Sequence, residues 1–225
     1  DTLKNLNIPK EYKFITRSEK DYFSTLLDGG QVTLSKTEFI EKTEENFDHS
    51  FEGLENSFIK TIVTLNGIEI NIYNLHLAPT HNDDRWFTVK YGENKEKYNY
   101  DQVKDSKSIR KGQIDELCKN IDKSKINLVV GDFNICKYLD VEEYNYMISS
   151  FLNKMMVEIK PKELNSNHLI PGGTFKPLDI EGTTEKSREY LDYAFISQSY
   201  VDNFEAVFDE YVDKIDHKPC KIMYN

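Results

Sequence analysis

Residues 58–65 and 68–75 are two β-rich runs separated only by Asn66-Gly67, and no other feature constrains the folding of this chain as tightly. A two-residue type I′ turn needs positive φ at both central positions. Asn-Gly takes that conformation at least cost, so the flanking runs are expected to pair as an antiparallel hairpin. In the second run Ile68, Ile70 and Ile72 alternate with Glu69, Asn71 and Tyr73, the period of a half-buried strand. The run continues as Asn74-Leu75-His76-Leu77-Ala78-Pro79, where Pro79 has no N–H to offer a ladder and stops it. His76 is therefore expected at a strand end.

The other apolar runs switch between helix and strand periods. Ile109, Ile114, Leu117 and Ile121 share one face of a helix expected over 106–121. Residues 126–130 form a short apolar run that stops at Gly131-Asp132-Phe133-Asn134, the pattern of a buried strand with a polar tip. Residues 141–156 read as a second helix, 190–196 as a strand with Asp192 among apolar neighbours, and 218–224 as a final strand preceded by Asp216-His217. Upstream, residues 3–7 with 12–16 read as the end of a helix leading into a strand. Gly29-Gly30 reads as a turn, 31–36 as a short strand, and 41–57 as a polar surface excursion. Residues 79–105, which hold Trp86-Phe87, and 161–188, which hold Pro171-Gly172-Gly173, read as long loops, a kind that is usually functional. Strands interrupted by helices in this way imply an α/β or α+β layered domain with mixed sheets.

With 225 residues the chain is expected to form one large domain with a core that needs no staples. No apolar run approaches the ~20 residues that span a bilayer, and no signal peptide is visible. A soluble protein follows, secreted or cytoplasmic, and a monomer is expected. Cys118, Cys136 and Cys220 are odd in number and lack C-x-x-C spacing, which argues against a disulfide framework or a zinc knuckle. The net charge of -10 gives no general attraction to a polyphosphate backbone. It disfavours a nuclease without excluding one, because bound metal ions reset the local charge.

Candidate chemistry gathers where apolar strands stop: His76, Asp132 with Asn134, and Asp216 with His217. Asp192 lies inside an apolar run, where a carboxylate is costly without a partner. A histidine is the natural one, since a carboxylate fixes the imidazole tautomer and raises its basicity. Asp132 and Asn134 are two apart, so an extended backbone would turn both to one side and offer an anionic and a neutral oxygen, a pair that suits Mg²⁺. Each feature alone has an ordinary explanation: Gly-Asp-x-Asn is a common turn, and a histidine after a strand is commonly structural. Their order and spacing carry the inference. His49, His81 and His168 read as surface loop residues, and the lysines of 104–111 as a solvated helix face.

Asn74-Leu75-His76-Leu77, Gly131-Asp132-Phe133-Asn134, Leu191-Asp192-Tyr193 and Asp216-His217-x-Pro219 resemble the signature blocks of the endonuclease/exonuclease/phosphatase superfamily. Arg110-x-x-Gln113 matches the helix that follows the histidine block there. Within the superfamily the chain looks most like bacterial-type neutral sphingomyelinases. Asp28-Gly29-Gly30-x-Val32-x-Leu34-Ser35-Lys36 resembles their glycine-rich strand, Gly53-Leu54-Glu55-Asn56 sits at their Gly-x-x-Asn segment, and Glu189-Tyr190-Leu191-Asp192-Tyr193-x-Phe195 is similar almost letter for letter. Gly173-Thr174-Phe175-Lys176-Pro177 resembles a superfamily loop in which Thr174 would touch phosphate.

The resemblance implies a four-layered sandwich of two packed mixed β-sheets flanked by helices, a divalent cation (Mg²⁺), and in-line attack of water on a phosphodiester. Carried over by position, His217 would be the general base, oriented by Asp192. Asp132 and Asn134 would position water, phosphate or metal, His76 would protonate the leaving group or hold a phosphoryl oxygen, and Asp216 and His217 would join the metal network. The family also uses an Asn and a metal-binding Glu before the Gly-Gly strand. By alignment both fall before Asp1, so the domain is expected to lack its first strands. Membrane-acting sphingomyelinases carry a long aromatic hairpin between the Leu-Asp-Tyr strand and the Asp-His pair. Here only residues 193–215 intervene, and Trp86-Phe87 offers a lesser apolar tip. The leading expectation is a phosphodiesterase acting on a phosphocholine-type lipid headgroup. The alternatives are a nuclease of the same fold and a catalytically inactive binding member.

Overall fold

The computed structural model describes residues 10–17, 31–50, 56–78, 106–135, 137, 140–160, 191–208 and 220–225. Along these run β1 (Phe14–Arg17), β2 (Val32–Ser35), β3 (Phe39–Asn46), β4 (Ser57–Leu65), β5 (Ile68–His76), α1 (Ser106–Asn120) and β6 (Ile126–Asp132). They are followed by α2 (Val141–Leu152), β7 (Met156–Glu158), β8 (Asp192–Ser197), a 3₁₀ turn at Gln198–Asn203, β9 (Phe204–Phe208) and β10 (Cys220–Tyr224).

The Asn-Gly hairpin forms as expected. Asn66 and Gly67 take φ of 52° and 80°, and β4 pairs with β5 from Leu65↔Ile68 to Phe58↔Leu75. This hairpin lies inside a six-stranded sheet of order β3-β4-β5-β6-β8-β7. Only β5 and β6 run parallel, and α1 lies in the connection between them. The sheet is therefore mixed, and its two faces bury different residues. One face carries Phe58, Tyr73, Leu75, Val129, Tyr193 and Phe195, packed with Ile114 and Leu117 of α1 and Met147 and Phe151 of α2. The other carries Val63, Ile70, Leu128, Ala194 and Ile196, packed with Phe204 and Ala206 of β9 and against Ile222 and Tyr224 of β10. The β9–β10 ribbon thus forms part of a second β layer. The β1–β2 ribbon meets the same face, where Asn74 Nδ2 of β5 donates to Val32 O (3.2 Å) and Thr33 Oγ1 (3.0 Å). The result is an α/β sandwich in which sheet packs on sheet and helices cover the outer face.

Three sequence readings need correction. The polar stretch at 41–57 is not simply a surface excursion, because Phe39–Asn46 is the edge strand β3. Its charge suits that place: edge strands carry charged side chains that discourage further pairing. The second helix stops at Leu152 rather than at 156. Lys154 N–H bonds Phe151 O (2.9 Å) and Met155 N–H bonds Leu152 O (2.9 Å), a tightening of the last turn. Met155 then takes φ of 59°, and Met156 starts β7. The strand expected from 190 begins at Asp192, while the last strand is described over Cys220–Tyr224, with 218–219 outside the described residues.

Candidate active site

The site is built by register. Parallel pairing of β5 with β6 sets His76 opposite Asp132, and antiparallel pairing of β6 with β8 sets Asp132 opposite Asp192. Three side chains far apart in sequence therefore stand in one row across the three central strands. They share parity with Ile70 and Ile72, with Leu128 and Val130, and with Ala194 and Ile196, so the row lies on the face turned away from the helices. His76 Nε2 is 3.4 Å from Asp132 Oδ2, with the imidazole 31% exposed and the carboxylate 12%. Asp192 is buried.

Asp132 also closes the polar tip. Its Oδ1 accepts the N–H of Asn134 at 2.7 Å, and Asn134 takes φ of 50°. The backbone therefore does not stay extended through Asn134, against the expectation from the two-residue spacing. A local Asx turn replaces it. Asn134 nevertheless reaches the histidine strand, because its Nδ2 donates to Leu77 O at 2.9 Å. Between them Phe133 is fully buried, with its ring 5.6 Å from those of Tyr193 and Phe195 and 6.0 Å from that of Phe151. Its N–H bonds Leu191 O (3.0 Å). One buried aromatic thus anchors a tip whose neighbours on both sides are polar. Gly131, at φ of 139°, lies against β5, and a Cβ there would collide with the Leu75 carbonyl. The close approach of β5 to β6 beside His76 therefore requires glycine.

The sequence marked four further residues only as matching text or not at all. Arg110 and Gln113 of α1 are fully buried, and Glu143 of α2 is nearly so. Arg110 Nε and Nη2 donate to the two carboxylate oxygens of Glu143 at 2.7 and 2.9 Å. Its Nη1 donates to Ala78 O at 3.1 Å. Gln113 Oε1 accepts the Ala78 N–H at 2.8 Å, and Gln113 Nε2 donates to His49 O at 2.8 Å. Asn56 Nδ2 donates to His76 O at 3.1 Å. The signal was present: Arg110 and Gln113 share the buried face of α1 with Ile114 and Leu117, where polar groups persist only with partners. His49, expected as a surface residue, is exposed, and its ring pairs with Glu116. Glu116 also accepts the N–H groups of Asp48 (2.8 Å) and His49 (3.0 Å).

Asp216, His217, Thr174, His81, His168 and Trp86-Phe87 lie outside the described residues. The carboxylates of Asp132 and Asp192 and the amide of Asn134 are hard oxygen donors, the chemistry that suits Mg²⁺. Among the described residues no group of three or more His, Cys, Asp or Glu side chains is spaced to hold a metal ion. The described donors fit such an ion in kind, but by themselves they do not make a ligand set. Among the described residues no helix is long and apolar enough to cross a membrane.

No family model matches the chain, and no curated protein sequence does. Solved structures do. A beta toxin mutant from Staphylococcus aureus with bound magnesium ions superposes with a TM-score of 0.58 at 19% identity, over 96% of this chain and 79% of that one. D. rerio TDP2 complexed with a single-strand DNA product gives 0.56 at 15% identity, over 98% and 80%. An endonuclease/exonuclease/phosphatase family protein from Leptotrichia buccalis gives 0.55 at 13%, over 94% and 71%. Sphingomyelinase C from Streptomyces griseocarneus is also matched, at 0.50 and 16% identity, over 90% and 67%. Identities this low speak to architecture, and on that ground the chain has the endonuclease/exonuclease/phosphatase fold, with a bacterial sphingomyelinase among its structural neighbours.

Proposed function

We propose that this protein is a Mg²⁺-dependent phosphodiesterase that cleaves a phosphocholine-type lipid headgroup by in-line attack of water. The observation that carries the reading is the row of His76, Asp132 and Asp192 across three neighbouring strand ends. The three groups stand side by side on a face whose neighbouring positions Ile70, Leu128, Ala194 and Ile196 are buried and apolar. In this reading His217 takes the proton from the attacking water, and Asp192 orients it. His76, within 3.4 Å of Asp132, holds a phosphoryl oxygen or protonates the departing alkoxide. Asp132 and Asn134 position the water and the phosphate, and with Asp216 and His217 they would hold the cation. A bound cation supplies charge neutralisation for the phosphoryl oxygens. Lipid is favoured over nucleic acid because the chain carries a net charge of -10 and so gains no general attraction to a polyanionic strand.

The test is hydrolysis of sphingomyelin vesicles and of DNA by the protein with Mg²⁺ and with EDTA. The expected result is Mg²⁺-dependent release of phosphocholine, faster than cleavage of DNA and abolished in His217→Ala with the circular dichroism spectrum unchanged. Faster cleavage of DNA would move the assignment to a nuclease. Hydrolysis of neither substrate, or full activity in His217→Ala, would overturn it.

A further inference from the structure

The segment that leaves β5 is held at every backbone polar group from the His76 carbonyl to the Ala78 carbonyl. His76 O accepts from Asn56 Nδ2 (3.1 Å), and Leu77 N–H donates to Asp132 O (2.9 Å). Leu77 O accepts from Asn134 Nδ2 (2.9 Å). Ala78 N–H donates to Gln113 Oε1 (2.8 Å), and Ala78 O accepts from Arg110 Nη1 (3.1 Å). Ordinary strand ends hand such groups to water. Here the Asp132 carbonyl takes the Leu77 N–H, and side chains from α1, from the tip after β6 and from the residue before β4 take the other four. Leu77 and Ala78 are fully buried, so none of these bonds is replaced by solvent without cost.

Gln113 is the link between them. Besides holding Ala78, its Nε2 donates to His49 O (2.8 Å) and lies 3.4 Å from Asn56 Oδ1, the side chain that holds the His76 carbonyl. One amide on α1 thus holds the chain leaving the histidine at two points: directly two residues after it, and through Asn56 at the His76 carbonyl. Gln113 is fully buried and stays clear of the open face of the row.

We propose that Gln113 and Asn56 are positioning residues that fix the backbone of His76 and thereby the placement of its imidazole against Asp132. The proposal rests on the phosphodiesterase reading for its kinetic consequence and on the fold alone for its structural one. Misplacing a reacting group by about 1 Å costs on the order of 10²-fold in rate, whereas groups that only bind substrate are untouched. Loss of the Gln113 grip is therefore expected to lower kcat and leave KM in place.

The experiment compares wild type, Gln113→Leu and Asn56→Ala, well below the thermal midpoint of each and per folded molecule, with sphingomyelin vesicles and Mg²⁺. Amide hydrogen exchange at residues 76–78 is followed in parallel. The expected result is a fall in kcat of at least about 10-fold with KM within about 2-fold. Exchange should quicken at 76–78 while protection in β4 and β6 persists. A residue that merely stabilised the fold would lower the midpoint and leave kcat per folded molecule unchanged, and that outcome overturns the proposal. Should wild type hydrolyse nothing, the phosphodiesterase reading fails separately. The exchange data then decide alone: local loss at 76–78 supports the positioning role, and unchanged protection overturns it.

Discussion

The pair of Arg110 and Glu143 offers a sharp energetic test, because neither side chain has water to fall back on. Arg110 is 0% exposed and Glu143 2%. The guanidinium meets the carboxylate in a two-pronged contact of 2.7 and 2.9 Å, and its third arm reaches Ala78 O at 3.1 Å. Glu143→Leu leaves a guanidinium buried and unpaired, at a cost of about 3–5 kcal/mol. Arg110→Met leaves the carboxylate in the same position at a similar cost of about 3–5 kcal/mol. For a chain of this length each kcal/mol moves the midpoint by ~2–4 °C, so each single variant should melt on the order of 10 °C lower. The double variant Arg110→Met/Glu143→Leu removes both charges and leaves only the Ala78 carbonyl without its donor, worth about 1–3 kcal/mol. The double-mutant cycle should therefore close with a favourable coupling of several kcal/mol. Urea unfolding followed by circular dichroism measures all four proteins. Additive losses, with a coupling below about 0.5 kcal/mol, would refute the reasoning, since that is the behaviour of sites that do not touch.

Four other outcomes are expected. Gly131→Ala should destabilise the protein by at least about 1–3 kcal/mol through backbone strain and should abolish activity as β5 and β6 part. Gly67→Ala, where a Cβ meets nothing within 4 Å, should cost only about 1–2 kcal/mol and spare activity. Burial, with smaller effects from the charges of Glu45 and Asp122, pushes the Tyr73 hydroxyl up to about 12. The unfolded chain releases this proton near pH 10 and the folded protein near 12, so stability should fall as pH rises through that window. Thermal midpoints of wild type and Tyr73→Phe against pH should converge there. Burial likewise raises the Cys118 thiol to about 11, so iodoacetamide at pH 8 should label it only after denaturation, as mass spectrometry can read.

The sequence made some features legible because a local rule decides them. Asn66-Gly67 announces a hairpin whatever surrounds it, and both residues take the positive φ that such a turn needs. His76, Asp132 and Asp192 could be read as strand-end or strand-buried groups. Their meeting in one row depends on the β5–β6 and β6–β8 registers, which only the assembled sheet sets. The strand β3 escaped notice because its outward side chains are charged, as an edge permits, and period-2 reading looks for a buried face. Helix α2 was overrun because Met155 and Met156 continue an apolar pattern past a turn that backbone geometry closes. Arg110, Gln113 and Glu143 were hardest to interpret, since their function lies in contacts between α1, α2 and the peptide after His76.

The row of His76, Asp132 and Asp192 has a kinetic consequence. The β4–β5 hairpin closes across two residues and belongs to the class of events complete in about 1–10 μs. The row exists only after strands distant along the chain have found their registers, with a parallel crossover among them, and such non-local pairings are the slow part of folding. During refolding, secondary structure should therefore return well before the ability to turn over substrate. On the phosphodiesterase reading, recovered activity would report the last step of sheet assembly, so hydrolysis would serve as the probe of the fold's own completion.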